Sequence, residues 1–133
     1  MSEEAVVEVC DLRKYFPIRV GFFRTLLARQ VPYVHAVESV SFKVAKGEIF
    51  GLVGESGCGK TTTGRMLIGL IEPTSGKVFF KGQDISLFSA EKLRKLRSKI
   101  QMIFQDPYES LNPRMSVFNI ISEPLRIQAQ HGE

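Results

Sequence analysis

Residues 51–65 read G-L-V-G-E-S-G-C-G-K-T-T-T-G-R, and within them 54–61 satisfies G-x-x-x-x-G-K-[ST] at every fixed position. The residue types state a chemistry. Gly54, Gly57 and Gly59 let the chain curl so that successive backbone N–H groups point inward, a concave site for an anion. A helix opening at Lys60 adds unpaired N–H groups and the positive end of its dipole. Lys60 brings a full charge for the outer phosphates of a nucleotide. The Thr61 hydroxyl is an oxygen ligand of the kind Mg²⁺ takes. A glycine-rich turn that merely joins strand to helix accounts for less of this, because the pattern follows a buried-type strand and opens a helix, the context that confirms it.

Working outward, I-F-G-L-V at 49–53 is an apolar run expected to be a strand covered on both faces. The helix is expected over 60–68, with Gly69 closing it. Upstream, A-V-V-E-V at 5–9 reads as a strand, and V-E-S-V-S-F-K-V at 37–44 alternates as a half-buried one, followed by a Lys46-Gly47 turn. Between them, 17–32 interrupts the pattern. Phe22, Phe23, Leu26 and Leu27 stand there at helical spacing among arginines, which suits packing on the same domain better than contact with lipid headgroups.

Downstream, P-T-S-G at 73–76 is turn chemistry, 77–80 a strand and 81–84 a further turn. Ser89 caps an expected helix through Lys99, with Leu93 and Leu96 inward and the Lys/Arg run mostly outward as a solvated face. A short strand is expected at 100–104, a loop at 105–113, and from Ser116 a last helix with Val117, Ile120, Ile121 and Leu125 on one side and Pro124 as a kink. The order of elements argues an α/β domain with β-rich additions.

The 133 residues suit one domain with a real core. Lys plus Arg exceed Asp plus Glu by 18 to 14, a net charge of +4 that fits a slightly basic cytosolic surface. The start, M-S-E-E, is acidic and does not read as a secretory signal. No stretch is apolar enough to span a bilayer. Cys10 and Cys58 make neither a disulfide framework nor a metal set.

The wider sequence resembles the ATP-binding cassette ATPases, and most closely their oligopeptide and dipeptide importer branch. Residues 51–65 carry the resemblance first. I-E-P-T-S-G-K-V-F-F-K-G-Q-D-I at 71–85 looks like the β-turn region of that branch, and Q-M-I-F-Q-D-P-Y-E-S-L-N-P at 101–113 resembles its Q-loop almost letter for letter. The resemblance implies a P-loop NTPase core with an antiparallel β subdomain, residues 17–32 as an insertion, 105–113 as Q-loop and 114–133 as the start of a helical subdomain in which the chain is truncated. It implies that Gly54, Glu55, Ser56, Gly57, Cys58, Gly59, Lys60, Thr61 and Thr62 hold ATP, that Thr61 and Gln105 bind Mg²⁺, and that Lys60 and Gln105 are catalytic. L-R-K-Y-F at 12–16 resembles the family's adenine-stacking segment; spacing favours Phe16, with Tyr15 the alternative.

The implied function is the energy-coupling subunit of a peptide importer. It would sit in the cytoplasm on the inner face of the membrane through permease subunits, pair with a second ATPase subunit, and have no part with nucleic acid. Family features are also missing. No L-S-G-G-Q signature occurs, none of the 14 acidic residues ends an apolar strand, and neither His35 nor His131 fits the switch position. A non-hydrolysing nucleotide-binding fragment and a non-transport ATP-binding cassette protein are the competing readings.

Overall fold

The computed structural model describes residues 4–18, 32–105 and 111–130. Two long strands, β1 (Ala5–Pro17) and β2 (Tyr33–Ala45), pair antiparallel. β3 (Ser75–Phe80) lies antiparallel on the other edge of β1, and β4 (Gln83–Asp84) closes a hairpin with it, giving the order β2-β1-β3-β4. The hairpin turn is Lys81-Gly82, both at positive φ, as a two-residue loop between right-twisted strands requires. Both expected N-terminal strands are present and longer than their apolar patterns alone implied. The expected helix within 17–32 falls almost wholly outside the described residues; at its edges, the Ile18 N–H donates to the Pro32 carbonyl at 2.9 Å.

Strand β1 does not alternate regularly. Val9 and Leu12 are both buried although three residues apart. Asp11, at φ 46°, is the extra residue: Val9 faces Phe42 and Leu12 faces Val40 on one side, while Cys10 faces Lys77 and Arg13 faces Ser75 on the other. A bulge of this kind flips the pleat, so both side chains reach the core. The Asp11 carboxylate accepts from the Ser39 hydroxyl at 2.5 Å and from Arg13 at 3.2 Å. The Ser39 bond, with the Arg13 charge, holds it below the usual carboxylate range. The Asp11 carbonyl lies 2.2 Å from where a Cβ at Gly76 would stand, so that position, at φ 85°, takes only glycine. Ser75 and Gly76, expected in a turn, therefore already belong to β3.

Helix α1 (Lys60–Leu67) and helix α2 (Ala90–Arg97) cover the sheet. Met66 of α1, Leu96 of α2 and Ile85 of the 3₁₀ turn Ile85–Leu87 pack with Val9, Leu12, Val37 and Val78 in one core. Two bonds end α1: Gly69 N–H to the Met66 carbonyl and Leu70 N–H to the Arg65 carbonyl, the Schellman arrangement, with Gly69 at φ 65°. Ser89 caps α2 by accepting from the Lys92 N–H. Arg97 is exposed as expected for that run of cations, and it also donates to the Ile68 and Gly69 carbonyls at 3.3 and 2.6 Å, so that it closes the C-terminus of α1.

Two expected strands are corrected. Residues 49–53 and 100–104 are in no ladder. Ile49 is 99%, Val53 94% and Ile103 92% exposed, and Phe50 and Phe104 are also open to solvent. A strand needs neighbours for its N–H and C=O groups, and no described segment forms a ladder with these two, although the Phe50 ring stacks on Phe42 of β2. The last helix, α3 (Val117–Gln130), starts at Ser116 as expected and contains Pro124, but Val117, Ile121 and Leu125 on its apolar side are exposed.

Leu12 is completely buried where the three main strands and both core helices meet. Leu12→Ala is expected to cost about 2–5 kcal/mol of unfolding free energy, read as a lower urea midpoint by circular dichroism.

Candidate phosphate-binding site

The loop 54–61 is shaped by backbone that only glycine tolerates. Gly57 stands at φ 83° and Gly59, the residue before α1, at φ 94°. Gly57 has open space around it, whereas a Cβ on Gly59 would lie 2.1 Å from the Ala36 carbonyl oxygen. That carbonyl is present because β2 is bulged there: Lys14 faces Val37 but Tyr15 faces His35, leaving Ala36 as the extra residue. The bulge therefore abuts the start of α1. The first N–H groups of the helix have no partner inside it, and no acidic side chain occupies the first turn. The positive end of α1 is thus offered to an external anion.

The ammonium of Lys60 is held over this loop. It donates to the Gly54 carbonyl at 2.7 Å and the Glu55 carbonyl at 2.6 Å, and lies 3.5 Å from the Cys58 sulfur. Behind it Thr63 is buried and donates its hydroxyl to the Gly59 carbonyl at 3.0 Å, bracing the first turn.

An open cavity of about 430 Å³ lies at this helix end. Ser56, Gly57, Gly59, Lys60, Thr61 and Thr62 line it from the loop and helix, Ala36 from β2, and Gln105 from the segment that follows α2. Gln105 follows a segment that Met102 ties to α1: the Met102 methyl would come within 3.3 Å of a Cβ at Gly64. A glycine inside a helix costs about 1 kcal/mol against alanine, and here it makes room for that methionine.

The structure thus brings together seven of the residues expected at the site. Gly54 and Glu55 do not line the cavity but hold Lys60 through their carbonyls. Cys58 turns its sulfur across the loop, 2.6 Å from the Cβ position of Gly54. Phe16 also lies outside the cavity lining, on β1 opposite Val34. Strand alternation puts Phe16 on the face of Lys14 and its partner Val37, whose methyl approaches Gly59. Tyr15 is on the opposite face. Its ring stacks on His35 at 4.2 Å and its hydroxyl donates to Glu38 at 2.7 Å. That bond raises the Tyr15 pKa and, with the His35 contact, lowers that of Glu38. Tyr15 is engaged elsewhere, while Phe16 is 37% exposed. The sequence pattern did not single out Ala36, since it contributes a carbonyl and any residue type carries one.

The family described as ABC transporter matches residues 37–131. The chain is 56% identical over 124 residues to the oligopeptide transport ATP-binding protein AppF of Bacillus subtilis, covering 92% of this chain and 36% of that protein. It is 50% identical over 122 residues to a probable peptide ABC transporter ATP-binding protein of Sinorhizobium fredii, covering 92% and 33%. It is 51% identical over 129 residues to the glutathione import ATP-binding protein GsiA of Escherichia coli, covering 97% and 20%. The chain therefore spans only about a third or less of the length of these curated relatives. Among solved structures, an ATP-binding cassette captured as a dimer with ADP and Pi matches with a TM-score of 0.72 at 24% identity, over 92% of this chain and 47% of that one. The protein cbiO1 of Clostridium perfringens matches with a TM-score of 0.59 at 20% identity, over 96% and 51%. These two likenesses concern the fold.

The two glycines make a contrast that can be measured. Gly57→Ala meets only left-handed strain, about 1–2 kcal/mol, and is expected to weaken inorganic triphosphate by no more than that. Gly59→Ala meets the Ala36 carbonyl and is expected to abolish triphosphate binding in the same calorimetric titration.

Proposed function

Because the chain belongs to the ABC transporter family, we infer that it binds MgATP at the loop 54–61 and is the ATP-binding, energy-coupling part of a peptide-type importer. The observation that supports this best is the convergence of Lys60, Thr61 and Gln105 on one cavity at the N-terminus of α1. Backbone N–H groups of the loop and helix cradle the phosphates, with Ser56, Gly57, Gly59 and Thr62 around them, and Lys60 neutralises the outer charge. Such a cradle costs little reorganisation, because its donors belong to a helix already packed on the core.

The residues present fit Mg²⁺. Among the described residues no three His, Cys, Asp or Glu cluster, and the site offers the Thr61 hydroxyl and Gln105 amide as neutral oxygen donors, leaving the remaining positions to phosphate and water. When bound, the ion would offset negative charge on the phosphates. Phe16 is the residue we assign to the adenine, since Tyr15 is committed to His35 and Glu38.

The peptide substrate class rests on the names of the relatives, an oligopeptide transport protein and a probable peptide transporter among them. Among the described residues no helix is long and apolar enough to cross a membrane. On the family and the importer names of the relatives we assign membrane association to permease subunits, at the cytoplasmic face, and a second ATPase subunit as partner. Residues 105–113 and 114–133 are read as the Q-loop and the start of a helical subdomain that would report to the permease.

Hydrolysis is the family's activity, yet among the described residues no carboxylate lines the cavity. Attack by water needs its proton accepted. This chain by itself is expected to bind MgATP and release phosphate no faster than its Lys60→Ala variant, in a steady-state phosphate assay on folded protein. Release well above that control overturns the assignment of a missing base. Lys60→Ala is also expected to weaken MgATP by about 1.5–3 kcal/mol, measured by titration with a fluorescent ATP analogue; equal affinities would sink the phosphate-site reading.

A further inference from the structure

We propose that Lys14 is a positioning residue for the Phe16 ring, tying the site of base stacking to the helix that carries the phosphate site. The proposal rests on the assignment of Phe16 to the adenine. Three bonds join the end of β1 to the segment that follows α1. The Thr74 N–H donates to the Arg13 carbonyl at 2.8 Å, the Tyr15 N–H to the Thr74 hydroxyl at 3.0 Å, and the Lys14 ammonium to the Glu72 carbonyl at 2.7 Å. The first two fix the backbone. The third fixes the tip of a side chain that would otherwise move freely in water.

From that anchored position the ammonium lies over the Phe16 ring, 5.1 Å from its centroid, inside the ~6 Å reach of a cation–π contact. Residues two apart on a strand share a face, so Lys14 covers one side of the ring, and the part of Phe16 that stays exposed is the surface we assign to a flat aromatic ligand. The ring's orientation is thus referred, through Glu72 and its neighbours, to α1. That link sets the spacing between a stacked base and phosphates bound at the helix N-terminus.

The test compares MgATP with inorganic triphosphate, which has no base, by calorimetric titration of the 133-residue chain. Lys14→Met is expected to raise the Kd for MgATP about two- to fivefold, the scale of an exposed cation–π contact, and to leave triphosphate unchanged. Unchanged triphosphate binding also shows that the variant is folded. Lys14→Arg, which keeps a cation and donors, is expected to restore most of the loss. In a Phe16→Ala background Lys14→Met should have no further effect. Equal weakening of both ligands, or effects of the two substitutions that simply multiply, overturns the role of Lys14. If Phe16→Ala leaves the preference for MgATP over triphosphate intact, the stacking assignment itself fails, a different result from Lys14→Met being silent while Phe16→Ala is not.

Discussion

One close approach organises the site: the Ala36 carbonyl against Gly59. It joins a bulged strand to the first residue before a helix, with no room for a side chain between them. The bulge exists because β1 and β2 slip register at Lys14 and Tyr15. The helix is held from behind by Met66 in the core and by the buried Thr63 hydroxyl on the Gly59 carbonyl. The direction of the helix dipole, the aim of the unpaired N–H groups and the place of Lys60 all follow from that contact. Removing it by adding one methyl group would shift every donor of the cradle together.

Lys60 illustrates how charge is kept ready without being lost. Its ammonium is paired with two backbone carbonyls, Gly54 and Glu55, rather than with a carboxylate. A carbonyl satisfies the donors without neutralising the charge, so an incoming phosphate still meets a full positive charge and competes against neutral acceptors only. A carboxylate partner at that position would set its own charge against the anion. The absence of acid from the first turn of α1 serves the same end.

The shape of the glycine loop before α1 was legible in the sequence because its signal is local: within eight consecutive residues, each fixed position of the pattern answers to one backbone or charge requirement. Gln105 came only through resemblance, since nothing in a glutamine after an apolar run says where it points. Contacts between a side chain and distant backbone were illegible. The Arg97 bonds to the end of α1, the tie of Lys14 to Glu72 and the fit of Met102 at Gly64 pair residues that no periodicity connects. The segments 49–53 and 100–104 were misread for the complementary reason. Apolar pattern reports what a segment would bury, while strand formation depends on a neighbouring strand to receive its hydrogen bonds, and here the ladder stops at β2 and β4.

Those two segments also decide how the cavity is divided. One runs into Gly54 and the other into Gln105. The loop side is secured by α1, whose Thr63 and Met66 are buried, and by the Ala36 contact. The Gln105 side hangs on a stretch outside any ladder, with Ile103 and Phe104 exposed and the approach of Met102 to Gly64 as its tie to α1. Regions with few buried contacts open at lower free energy than core elements. Moving Gln105 relative to the phosphate site therefore costs far less than moving Lys60, and a partner that grips the Gln105 segment can change the cavity without disturbing the cradle. The proposed coupling of a bound nucleotide to a permease subunit would use that asymmetry, since a partner shifts a site only by the difference between the two arrangements it contacts.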